Sequence, residues 1–116
     1  MIEPFVVDAS LTLSWCFADE ATPYSRCVLA GLQTTFALVP ALWPFEVANA
    51  LALAERRQRI TPEGMVEFLE ILWRLPIQVE RRDALWLWQA VLPLAREHRL
   101  SAYDAAYLEL ACRTEF

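Results

Sequence analysis

Lysine is absent from this chain of 116 residues; all ten basic side chains are arginine. That excludes a Schiff-base lysine, a phosphate-loop lysine and the lysine of phospho-acceptor receiver domains. Glycine is nearly absent too. Only Gly31 and Gly64 are present, so no glycine-rich loop can cradle a nucleotide. The single histidine, His98, sits in the charged run Arg96-Glu97-His98-Arg99, which reads as an exposed helix end. With His98 in such a place and no other histidine to partner a serine or cysteine, a nucleophilic triad is not credible. Cys16, Cys27 and Cys112 are odd in number and widely spaced; they form neither a disulfide framework nor a metal-ligand pattern. Residues 1–10 lack a basic start followed by a pure apolar stretch, so no signal peptide is read there. No apolar run approaches the ~18 residues of a membrane span. A cytoplasmic protein with reduced thiols and no membrane association is expected. The net charge of −5 argues against a general nucleic-acid coat, so phosphate would have to be met by local patches.

What the chain has in excess is apolar surface. Its hydrophobic fraction of 57% exceeds the roughly 45–50% usual for globular chains. Five tryptophans, Trp15, Trp43, Trp73, Trp86 and Trp88, add to it, and tryptophan is enriched at interface hot spots. A single domain over 1–116 is expected, with apolar surface left for a partner.

Short apolar runs alternate with helical patterns. Strands are expected at 4–8, 36–39 and 77–80. Helices are expected at 10–18, 22–32, 44–59, 61–72, 83–98 and 101–113. Thr22-Pro23 and Thr61-Pro62 pair an N-cap residue with a proline suited to the first turn, and Asp83 can cap the fifth helix. Pro93 should kink that helix. Strands alternating with helices imply right-handed crossovers and a parallel sheet covered on both faces.

Three carboxylates stand in apolar sequence: Asp8 after Phe5-Val6-Val7, Glu46 in Trp43-Pro44-Phe45-Glu46-Val47-Ala48-Asn49, and Asp104 in Ser101-Ala102-Tyr103-Asp104-Ala105-Ala106. Acids in core-like surroundings are usually paired or metal-bound, because desolvating a charge is costly. Each has a plainer reading. Asp8 can be a turn or N-cap acid, Asp104 the partner of Ser101 in a capping-box-like start, and Glu46 part of a solvated face. Glu46 and Asn49 are three apart, so they share a helix face. Ligand sites of parallel sheets lie beyond the carboxyl ends of the strands, where Asp8 is placed. Arg56, Arg57 and Arg59 answer the negative end of their helix in the plain reading, or bind phosphate in the other.

The segments Val-Val-Asp-Ala-Ser, Phe-Glu-Val-Ala-Asn-Ala-Leu and Ser-Ala-Tyr-Asp-Ala-Ala-Tyr-Leu-Glu-Leu-Ala together resemble the PIN domain, in particular the VapC toxins of type II toxin–antitoxin systems. The resemblance covers nearly the whole chain in order and spacing. It implies an α/β fold, a three-layer αβα sandwich around a parallel sheet. It also implies a metal-dependent endoribonuclease, usually a homodimer held by an antitoxin protein. Asp8, Glu46 and Asp104 match the family's acidic residues, Ser10 its usual serine or threonine, and Asn49 a frequent polar companion of the glutamate. The family pattern continues with a further strand, a fourth acid, and another helix and strand. This sequence stops at Phe116, so those C-terminal strands are expected to be missing and the sheet edge beside the first strand to stay open. Glu109 and Glu115 do not match the fourth acid.

Two carboxylates within ~5 Å repel by roughly 3 kcal/mol at an effective dielectric near 20, and a cation relieves this. Mg²⁺ or Mn²⁺ fits an all-oxygen site. Asp8 and Asp104 are the expected principal ligands. Glu46 would be a ligand through water or the group orienting the attacking water, and Ser10 a support for an acid or a water. RNA is the expected substrate. An aspartyl-phosphate enzyme with Asp8 as nucleophile is the first rival, but it would need a second acid at position 10 and a lysine. A catalytically weak or inactive PIN-like interaction module is the second.

Overall fold

Three short segments rich in β-branched and aromatic residues build the sheet, and each is followed by a helix that carries the chain back. The computed structural model describes residues 3–114. Strands β1 (Phe5–Val6), β2 (Ala37–Pro40) and β3 (Ile77–Glu80) pair in parallel in the order β1-β2-β3. The fold is therefore α/β with a parallel sheet. Among the described residues β1 is one edge of that sheet and β3 the other. β1 is shorter than the apolar run at 4–8, because Asp8 leaves the strand to cap the next helix.

The helices are α1 (Ala9–Leu13), α2 (Pro23–Gly31), α3 (Trp43–Arg56), α4 (Pro62–Arg74), α5 (Ala84–Trp86), α6 (Leu92–His98) and α7 (Ala102–Thr114), with a 3-10 turn at Ala18–Glu20. The start signals hold. Thr22 and Ser25 form a full capping box, Thr61 accepts from the Gly64 amide, and Asp83 accepts from the Trp86 amide. Helix ends differ more from expectation. α1 stops at Leu13 rather than near 18. The Ser14 hydroxyl donates to the Leu11 carbonyl, and the Trp15 and Cys16 amides bond three residues back, so the chain tightens out of α-helical register. α3 stops at Arg56 because Gln58 is left-handed, with φ 60. Amide bonds from Gln58 to Glu55 and from Arg59 to Ala54 complete a Schellman-type stop without glycine.

The fifth expected helix runs unbroken in helical conformation from Ala84 to His98, and its irregularity before Pro93 is a widened turn. Between α5 and α6 lies a π-turn, Leu87–Val91, in which the Leu92 amide bonds to the Leu87 carbonyl. Pro93 offers no N–H to the Gln89 carbonyl four residues before it. A wider turn just upstream is the usual way for a helix to absorb such a loss.

Two apolar clusters result, compatible with helices layered on both sides of the sheet. The larger joins Val7, Leu13, Val39, Trp43, Val47, Leu51 and Phe68, among others; the smaller joins Val91, Ala95, Ala105 and Ala106. An ionic network ties α7 to β3. Glu109 is only 7% exposed and accepts hydrogen bonds from Trp86 Nε1 at 2.9 Å and Arg113 Nε at 2.7 Å. The same guanidinium forks onto Glu80.

Removing Arg113 would leave Glu109 buried with no cation. Arg113→Ala should therefore lose about 3 kcal/mol of unfolding free energy in urea titration. Glu80's carboxyl is held below its ordinary range, chiefly by the hydrogen bond from Arg113. A carboxyl with a depressed folded pKa adds stability above its unfolded value, and that stability is lost as pH falls. Wild type should thus lose stability as pH drops below about 4.3, with a shallower acid slope in Arg113→Ala.

Candidate functional site

The three segments that carry the acids converge at the carboxyl edge of the sheet. Asp8 follows β1 and caps α1, with Oδ1 accepting the Leu11 amide at 2.8 Å. Its carbonyl accepts from Thr12 Oγ1 at 2.8 Å, and Thr12 Oγ1 accepts in turn from Trp43 Nε1 at 3.0 Å. That chain locks the start of α1 to the start of α3. Trp43 lies three residues before Glu46, so the lock sets where Glu46 stands. α7 brings Asp104 in its first turn, its amide donating to Ser101 Oγ at 3.1 Å. The fully buried Ala105 and Ala106 let that helix come close to the sheet and its neighbours.

Asp8, Ser10, Glu46, Asp104 and Tyr107, with Ala9, line one small cleft of about 270 Å³. The capping roles of Asp8 and of Ser101 toward Asp104's amide are real, and they coexist with the shared cleft. Burial is distributed differently from what the apolar sequence context suggests. Asp8 and Asp104 are exposed and only Glu46 is half-buried, so the desolvation argument applies to Glu46 alone. Asn49 is exposed and lies outside this cleft. It lines an adjoining groove that also contains Ser10 and Glu46.

Tyr107 is the functional neighbour that sequence reasoning missed. Its hydroxyl donates to Glu46 Oε1 at 2.6 Å. Burial pushes that hydroxyl's pKa far up, and the hydrogen bond to Glu46 and the charges of Glu46 and Asp8 push it further. Tyr107 is therefore a neutral, fixed donor across the physiological range. The signal was its spacing, three residues after Asp104 on the same helix face.

The donor set is entirely oxygen: three carboxylates and a serine hydroxyl. Hard divalent cations such as Mg²⁺ or Mn²⁺ suit such donors. Among the described residues, no three His, Cys, Asp or Glu side chains are grouped closely enough to form a ligand cluster. A cation here would take one or two carboxylates and complete its shell with water and substrate oxygens, the usual habit of magnesium. A scan of protein-family models finds no match to the chain, and a search of curated proteins finds none either.

The Tyr107–Glu46 bond should be measurable as a coupling. In a double-mutant cycle of Tyr107→Phe and Glu46→Gln, denaturant unfolding should give a coupling of about 1.5 kcal/mol. A value near zero would mean that Tyr107 does not position Glu46.

Proposed function

We propose that this protein is a metal-dependent endoribonuclease with a PIN-like αβα fold, the toxin component of a toxin–antitoxin pair acting in the cytoplasm. One observation carries the reading: Asp8, Glu46 and Asp104, drawn from three distant segments, line a single cleft with Ser10 at the carboxyl edge of a parallel sheet. Asp8 and Asp104 would hold Mg²⁺ or Mn²⁺. When bound, the cation supplies charge stabilisation at the phosphoryl oxygens and lowers the pKa of a bound water. Glu46 would reach the cation through water or orient the attacking water, its Oε1 held by the Tyr107 hydroxyl. Ser10 steadies an acid or a water at the cleft wall. The resemblance of the three segments to PIN sequences supports RNA as the substrate.

A second reading, a catalytically weak interaction module, is favoured by a different feature. An apolar groove of about 740 Å³ runs between α3 and α4, lined by Leu51, Met65, Leu69, Leu72 and Trp73, among others. Trp73 is 90% exposed. An antitoxin helix laying its apolar face there fits the groove's chemistry, and a homodimer is the other use of such surface. Among the described residues no helix is long and apolar enough to cross a membrane.

Asp8→Asn and Asp104→Asn keep shape and remove charge; asparagine caps α1 as well as aspartate does. Each should slow cleavage of a mixed-sequence RNA by roughly 100-fold or more. EDTA should stop the wild type and Mn²⁺ restore it. Cleavage that survives EDTA and both substitutions would leave the interaction-module reading as the better one.

A further inference from the structure

The acidic cleft does not end at Glu46. It opens into a groove of about 390 Å³ that shares Ala9, Ser10 and Glu46 with it and continues to Arg57. Glu46, Asn49, Leu53 and Arg57 are spaced by three and four residues, so they form one face of α3 and its cap. At 1.5 Å per residue this face is ~16 Å long. Glu46 stands at one end of the groove; at the other stand Arg57 and Arg59, with Glu20 beside Arg59.

These two arginines are not equivalent. Arg59 is committed within the protein: it pairs with Asp19 at 2.9 Å and Glu20 at 3.1 Å and lies 4.4 Å above the Phe17 ring. Arg57, two residues earlier, is exposed and makes no ion pair among the described residues. Its position at the end of α3 suits the helix dipole, but so does that of Arg56, which is not part of the groove. Facing the groove is what sets Arg57 apart. On a chain of net charge −5, a phosphate backbone leaving an acidic cleft needs a local cation, and the guanidinium fork matches phosphate geometry.

We propose that this groove is the anchoring subsite for the single RNA strand flanking the cleavage point, with Arg57 binding a phosphate one or more nucleotides away. The inference rests on the ribonuclease reading of the cleft. Asn49 and Ser10 offer polar contacts to the strand, and Leu53 an apolar one.

The test is fluorescence anisotropy with a fluorescein-labelled, single-stranded RNA of about 12 nucleotides, in EDTA, on an Asp8→Asn background that prevents turnover. Arg57→Ala should weaken binding roughly five-fold or more and cut the slope of log K against log salt by about 0.7, the share of one phosphate contact. Arg57→Lys should keep most of the slope, and Arg56→Ala should match its parent. In turnover by the otherwise native protein, Arg57→Ala should raise KM with little change in kcat. An unchanged slope in Arg57→Ala, an equal loss in Arg56→Ala, or no RNA binding by the parent would overturn the inference. EDTA-sensitive, Asp8-dependent cleavage beside such a result would leave the ribonuclease reading standing. Arg57-dependent binding by a protein that cleaves nothing would overturn that reading and keep the groove as an RNA site.

Discussion

A buried indole N–H must find an acceptor, and in this protein the acceptor of Trp43 is the hydroxyl of Thr12, 31 residues earlier. Thr12 is wholly buried and Trp43 nearly so, so water cannot substitute for either partner, and losing one would cost about 1–3 kcal/mol. The Thr12 hydroxyl in turn donates a hydrogen bond to the Asp8 carbonyl. The turn that presents the Asp8 carboxylate and the helix that presents Glu46 are thus fixed by one short polar chain inside an apolar cluster. Packing alone would let α3 slide or roll on α1 at little cost. The directional bond removes that freedom, and the relation of Asp8 to Glu46 follows from it.

The third arm of the site is held at two places. α7 packs against the first two strands, and its buried Ala105, Ala106 and Leu110 give little directional hold. Orientation comes from the Tyr107–Glu46 hydrogen bond at the site and from the other end of the helix, where Glu109 and Arg113 connect to Trp86 and Glu80. Such a network is not a large net source of stability, because desolvation offsets much of its attraction. Its value is geometric: with the Tyr107–Glu46 bond it restrains the rotation of α7, and rotation decides whether Asp104 and Tyr107 face the cleft. A salt bridge on β3 therefore helps place a carboxylate near β1.

Legibility in the sequence followed the range of the interactions. Local signals were readable. The caps at Thr22, Thr61 and Asp83 stand because each depends on residues within one turn, and the three strands and their parallel pairing stand because each strand's apolar run is local even though its partner is far away in sequence. The three acids were readable as a group because of their apolar flanks, although only Glu46 is shielded from water. What could not be read depends on tertiary partners. The left-handed stop at Gln58 has no glycine to announce it. The commitment of Arg59 to Asp19 and Glu20, 40 and 39 residues away, separates it from Arg57, its near neighbour in sequence. Tyr107 looked like one more apolar residue of α7 until the fold set its hydroxyl against Glu46.

The composition of α3 shows how one helix serves these demands together. Ala48, Ala50, Ala52 and Ala54 alternate with larger residues. Alanine is the best helix former, so the helix keeps its intrinsic stability while presenting little bulk. Ala50 and Ala54 line the polar groove toward Arg57, whereas Ala48 and Ala52 line the apolar groove toward α4. Leu51 and Val47, both buried, floor the apolar groove and anchor the helix in the core. Larger side chains at Ala48 or Ala52 would fill the apolar hollow, and at Ala50 or Ala54 they would crowd the core as well as the polar groove. The alanine content that first reads as simple helix propensity is what leaves room for two grooves of opposite character on a single helix.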